Sequence, residues 1–163
     1  MEGDLGLRAR RVQGEGAALN AALLSLAPGR RYDRAVPQVA EIMARDVLGV
    51  APETTLVEAA RRMHERRVGA VVVLDGERLV GILTERDVLR AVATDRVDGP
   101  VSDSMTRDPD TVDADEQAGH AAAVMIHGGF RHLPVVEGET VVGMVSIRDL
   151  VRLSVDDEAP RGA

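Results

Sequence analysis

An α+β fold built from two similar units packed against each other is what this sequence predicts, and three observations carry that expectation. A shift of 62 residues, the spacing of Met43 from Met105, aligns one half of the chain with the other without a gap. Within each copy the hydrophobic period changes in the same order. Each copy then closes on the same pattern of glycine, two aliphatics, a hydroxyl residue, two further positions and aspartate.

The repeat extends well beyond single residues. Val50 falls on Val112, Ala59-Ala60 on Ala121-Ala122, Met63 on Met125, Gly76-Glu77 on Gly138-Glu139, Val80-Gly81 on Val142-Gly143, and Arg86-Asp87 on Arg148-Asp149. Residues 1–35 precede it. There Leu19, Leu23 and Leu26 form an apolar helix face that Pro28-Gly29 ends, a segment suited to capping the pair or supporting a dimer. The first repeat spans 36–93, a polar linker 94–99, the second repeat 100–154, and a flexible tail 155–163.

In the first repeat, Leu56, Ala59, Ala60 and Met63 sit at i, i+3, i+4 and i+7, one face of a helix, with Arg61, Arg62 and Glu65 opposite. Ala118, Ala121, Ala122 and Met125 repeat that face. Val71 to Leu74, an Asp75-Gly76 turn and Leu79 to Leu83 then read as a hairpin, as do Leu133 to Val136, Glu137-Gly138 and Val141 to Val145. A second amphipathic helix starts near Thr84 or Ser146. Each unit is thus strand, helix, strand, strand, helix. A unit of this size buries too little apolar surface to stand alone, so the two are expected to pack about a pseudo-twofold axis.

Composition narrows the function. The chain is 45% apolar yet holds one Phe (Phe130), one Tyr (Tyr32) and no Trp, so aliphatic residues fill the core and stacking platforms for single-stranded nucleic acid are nearly absent. A net charge of −7 and a pI near 5.1 repel a phosphate backbone, so nucleic-acid binding is not expected. With no cysteine there is neither a disulfide framework nor a thiol nucleophile. The apolar run after Arg8 is short and broken by Glu15, which argues against a signal peptide, and no stretch approaches the roughly 20 apolar residues of a membrane span. A cytoplasmic protein is expected. His64, His120, His127 and His132 show no metal-ligand spacing, and no nucleophile or acid pair has a distinctive setting, so neither a metal nor catalysis is expected.

The chemistry concentrates in Gly81-Ile82-Leu83-Thr84-Glu85-Arg86-Asp87 and Gly143-Met144-Val145-Ser146-Ile147-Arg148-Asp149. A hydroxyl followed three residues later by an acid is also a helix capping box, as Thr55-Leu56-Val57-Glu58 is. Its recurrence after a strand and a close-approach glycine supports a ligand role as well. A carboxylate accepts from the vicinal hydroxyls of a ribose, helix-start amides attract phosphate, and hairpin backbone reads an adenine edge without an aromatic residue.

Together with Val36-Pro37-Gln38-Val39-Ala40-Glu41-Ile42-Met43, Pro100-Val101-Ser102-Asp103-Ser104-Met105, Arg67 to Val73 and Phe130 to Val136, this motif resembles the CBS-domain family in two full copies over residues 36 to 153. The resemblance implies a paired regulatory module that holds an adenosine-type ligand (AMP, ADP, ATP, S-adenosylmethionine or NAD) between its repeats, with no obligatory cofactor. It assigns the ribose to Asp87 and Asp149 with Thr84 and Ser146 nearby, and the base to Val68, Ala70, Phe130 and His132. One cleft can draw base contacts from one copy and ribose contacts from the other. Arg131-His132 replaces Gly69-Ala70 in the second copy and suits either a phosphate or a solvated strand end. A homodimer and an unidentified protein partner follow as expectations. The competing reading is a ligand-independent scaffold or dimerisation module.

Overall fold

The change of hydrophobic period along each repeat becomes a change of element. The computed structural model describes residues 37–156; the helix face expected at Leu19, Leu23 and Leu26 lies outside them. In chain order the elements are α1 (Val39–Ile42), β1 (Gly49–Val50), α2 (Leu56–Arg66), β2 (Ala70–Asp75), β3 (Arg78–Thr84), α3 (Glu85–Ala93), a 3₁₀ turn (Val101–Asp103), β4 (Thr106–Arg107), β5 (Val112–Asp113), α4 (Ala118–Gly128), β6 (His132–Glu137), β7 (Thr140–Ser146) and α5 (Ile147–Asp156). The expected order recurs in both copies as β1-α2-β2-β3-α3 and β5-α4-β6-β7-α5. The last helix takes in residues 155 and 156, which the sequence reading placed in the tail.

One sheet runs β1-β2-β3-β4 and the other β5-β6-β7. In each, a parallel strand precedes the helix and an antiparallel hairpin follows it, with Val71 facing Leu83 in one and Leu133 facing Val145 in the other. Leu56, Ala59 and Met63 are buried as their spacing requires. Thr55 caps α2 by accepting from the Glu58 N–H at 3.2 Å, but the Glu58 carboxylate turns to Arg61 and Arg62 instead of completing the box.

The opening segments are exchanged between the repeats. Val39 and Met43 bury in the core of the second repeat, among Val112, Met125, Leu133 and Val145. Val101 buries in the core of the first, among Leu56, Met63, Val71 and Leu83, with Met105 packed against it. Hydrogen bonds repeat the exchange with near symmetry: Val39 N–H donates to the Glu116 carbonyl and Val101 N–H to the Thr54 carbonyl, both at 2.8 Å. Ala44 then bridges Met144 as β4 pairs Thr106 with Ile82. A fully buried valine contributes roughly 1.5–3 kcal/mol, so each crossing is held by apolar burial as much as by backbone bonds. Neither repeat completes its core without the other's opening segment.

Candidate functional site

The β3–α3 and β7–α5 junctions present the two hydroxyl-acid pairs, and both form the capping box. Asp87 Oδ2 accepts from the Thr84 N–H at 2.9 Å and the Thr84 hydroxyl at 2.6 Å. Asp149 Oδ2 accepts from the Ser146 N–H and hydroxyl at the same two distances. The carboxylates therefore order the helix start before any ligand arrives. Their outer oxygens face Arg90 and Arg152 at 3.4 and 3.6 Å, longer than a good charged hydrogen bond. Capping therefore occupies Oδ2 of each carboxylate and leaves Oδ1 in only a loose arginine contact. The Asp87 side chain is only 6% exposed and the Asp149 side chain 21%.

The exchange of opening segments builds a cleft of about 430 Å³ in front of Asp87. The first repeat supplies Thr84, Asp87 and Arg90; the second supplies Phe130 and Arg131 from the turn between α4 and β6, and His132 from the start of β6. Thr106, Asp108 and Asp110, from the segment that follows the second opening motif, line the opposite wall. Gly128 leaves room for the Phe130 ring at the helix end: a methyl there would sit against Cε1 and within 2.6 Å of Cδ1.

A second cavity, about 760 Å³, opens between the repeats and shares Gly69, Glu85, Arg131 and His132 with the first. Its lining also includes His64, Arg67 and Arg148, so in a chain of charge −7 this space gathers three arginines and two histidines against one acid, Glu85. Both helix starts reach it, and their first amides are already used: Glu85 N–H donates to the Gly69 carbonyl and Ile147 N–H to the Arg131 carbonyl. Arg67 ends α2 in the left-handed region at φ 54°, where the second repeat places Gly129. His132 has its pKa lowered, first by burial and then by the Arg131 charge.

Of the residues expected to bind, Thr84, Asp87, Phe130, Arg131 and His132 converge on one cleft, which joins positions expected to meet a ribose in one copy to positions expected to meet a base in the other. Val68 and Ser146 face the basic cavity. Ala70 is buried in the sheet opposite Thr84 and lines neither space. Asp149 also lines neither. Thr106, Asp108 and Asp110 were missed from sequence, because they reach the cleft only through the pairing of β4 with the other repeat's sheet. Among the described residues no helix is long and apolar enough to cross a membrane, and no group of three or more His, Asp or Glu side chains is placed to hold a metal.

Two exchanged β-α-β-β-α repeats with a hydroxyl-acid cleft between them define a paired-repeat module. The family model described as CBS domain matches twice, at residues 39–94 and 101–156, and the chain belongs to the CBS-domain family. It is 40% identical over 121 residues to an uncharacterized 17.7 kDa protein of Acidianus ambivalens, covering 73% of this chain and 74% of that one. The inosine-5′-monophosphate dehydrogenase of Korarchaeum cryptofilum is 36% identical over 118 residues, 72% of this chain but 24% of the enzyme. Among solved structures, the CBS domain pair of protein MJ0100, in complex with 5′-methylthioadenosine and S-adenosyl-L-methionine, superposes with a TM-score of 0.72 at 26% identity, covering 76% of this chain and 99% of that one. A CBS-domain containing protein of Agrobacterium tumefaciens superposes with a TM-score of 0.69 at 34% identity, covering 72% and 99%.

Proposed function

We propose that this chain is a non-catalytic, cytoplasmic regulatory module that binds an adenosine-type ligand in the Asp87 cleft and passes its occupancy to a partner protein or to its own assembly. The observation that carries this reading is the convergence of Thr84 and Asp87 from one repeat with Phe130 and His132 from the other on a single cleft. The ribose diol donates to Asp87 Oδ1, displacing the loose Arg90 contact, while Thr84 keeps Oδ2 occupied. The base lies along the Phe130–His132 strand start. The 5′ substituent points to the basic cavity, where Arg131 and Arg148 suit an anionic tail. The solved complex of the MJ0100 pair with two adenosine derivatives supports the ligand class. Because both repeats contribute walls, a bound ligand favours one arrangement of the repeats, by no more than its differential affinity for the two.

Thermal unfolding against adenosine, AMP, ADP, ATP, S-adenosylmethionine and NAD tests this directly. At 100 times Kd a native-state ligand adds about 2.7 kcal/mol, a shift of several degrees. No shift with any of them would leave the second reading, a ligand-independent scaffold. That reading draws on Leu89 and Val92 of α3, Ile126 of α4 and Val151 of α5, large apolar side chains that are all more than half exposed. A homodimer through these faces would persist unchanged in Asp87→Ala, as judged by analytical ultracentrifugation.

A further inference from the structure

The 62-residue shift that relates the repeats also sets their outer surfaces side by side, and there the two differ. In α2 the side away from Leu56, Ala59 and Met63 carries Glu58, Arg61, Arg62 and Glu65, joined by ion pairs. Their counterparts in α4 are His120, Ala123, Val124 and His127, so the acids and arginines are gone. With about 3.6 residues per turn, His120 and Ala123 point away from the core face of Ala118, Ala121 and Met125. Yet His120 is 5% exposed and Ala123 9%, whereas the Arg61 side chain is 59% exposed. The burial extends to β5, where Thr111 and Asp113 are buried while their counterparts Gly49 and Ala51 are half-buried and exposed. The exchanged opening segments do not account for this, because both helices receive the same crossing: Leu56 N–H donates to the Gly99 carbonyl at 3.0 Å, and Ala118 N–H to the Pro37 carbonyl at 2.9 Å.

We infer that the segment before Pro37 docks on this outer face of the second repeat, seating Leu19, Leu23 and Leu26 on α4 beside His120 and Ala123 and bringing Arg30, Arg31 and Arg34 to Asp113, Asp115 and Glu116. Pro37 and Gln38 meet α4 at its start, so the chain that precedes them emerges beside the buried face. The reach is sufficient. α4 has 11 residues and is about 16 Å long, while residues 27–36 span up to about 33 Å, enough to return along it. The chemistry matches twice over. Leucines at the spacing of one helix face meet a helix that lacks the charged outer side of its counterpart, and a cluster of three arginines meets a cluster of three acids whose first-repeat counterparts are Ala51, Glu53 and Thr54. The family match begins at residue 39, so the cover belongs to this chain's own extension and not to the repeat. It leaves the charged face of α2 as the open end of the module.

Because the chain has no cysteine, single introduced thiols report on each face. Dithionitrobenzoate labelling of the full chain is expected to modify Arg61→Cys freely and Ala123→Cys more slowly by about tenfold or more, since a covered thiol reacts only when its cover opens. That protection should be unchanged on dilution and lost when Leu19→Glu and Leu23→Glu are added. Val71→Cys, buried in the core of the first repeat, should stay protected throughout and so report an intact fold. If the two glutamates expose that core thiol as well, Leu23→Ser is the milder change, and it should speed labelling of Ala123→Cys alone. Arg30→Glu, Arg31→Glu and Arg34→Glu together should also speed it; no change would overturn the charged half of the contact. Ala123→Cys as reactive as Arg61→Cys in the parent overturns the cover. Protection that falls on dilution assigns the face to a second copy, and protection untouched by either set of leucine substitutions assigns it to another part of the chain; each overturns the occupant. Equal opening of both thiols by Leu23→Ser would put Leu23 in the shared core and overturn docking on the outer face.

Discussion

Replacing Gly81 by alanine probes the feature that ties the repeats together. Gly81 lies in β3 opposite Arg107, where the second repeat's opening segment crosses the first repeat's sheet. A methyl built there falls 3.0 Å from Met105 Cγ, closer still to Met105 Sδ, and 3.0 Å from the Thr106 carbonyl oxygen. The methionine can turn aside, but the carbonyl belongs to the paired backbone, so β4 itself must shift. Overpacking of this kind costs about 1–3 kcal/mol. For a chain of this length that corresponds to a fall in Tm of roughly 3–10 °C, read by circular dichroism without ligand. The companion variant Met105→Ala removes a partly buried side chain and is destabilising alone. In the double variant the new methyl takes some of the vacated space, so the two costs should fall short of additivity by about 1 kcal/mol. Gly143→Ala should behave alike, its methyl lying 2.9 Å from Met43 Cγ and 3.2 Å from the Ala44 carbonyl. Additive effects, or a change in Tm below about 1 °C for both glycine variants, would mean that the opening segments are not seated across the partner sheets.

Three further outcomes follow from the site. Gly128→Ala improves intrinsic helix propensity by up to about 1 kcal/mol yet drives the Phe130 ring off the helix end, so stability should change little while adenosine affinity falls; unchanged affinity in a titration would remove Phe130 from the cleft wall. Arg67→Gly relieves a left-handed arginine at φ 54° and should raise stability by about 1 kcal/mol, while the extra affinity of AMP over adenosine decreases; an unaltered AMP-to-adenosine ratio would take Arg67 out of the anion site. His132 is held below its ordinary pKa by burial, so the unfolded chain takes up its proton first as pH falls. Its contribution is therefore complete above the unfolded value near 6.5 and is lost as pH drops through that value toward the lowered folded one. Urea unfolding of His132→Gln should show a flatter dependence in that window than the parent, and an identical slope would assign the dependence to another group.

Much of the fold was legible because it rests on local pattern. Leu56, Ala59 and Met63 repeat at helical spacing, and Asp75-Gly76 turns between two aliphatic runs, so each element is specified within a dozen residues. Thr84 with Asp87 and Ser146 with Asp149 were equally visible as repeated hydroxyl-acid pairs, and in the structure one carboxylate oxygen of each caps the helix while the other makes only a loose arginine contact. Asp108 and Asp110 carried no such signal. Nothing near them in the chain marks them as a wall for a motif some twenty residues earlier.

By itself the sequence determined that there are two β-α-β-β-α units, each with a hydroxyl-acid pair at the start of its last helix, because periodicity, turns and caps are short-range properties. Which unit each opening segment completes was decided by the tertiary structure. Val39 and Val101 are equally apolar against either sheet, and only simultaneous closure of both cores selects the exchange. That exchange brings Thr106, Asp108 and Asp110 to Asp87. The walls of the Asp87 cleft thereby come from residues distant in the chain, whose placement no local pattern encodes.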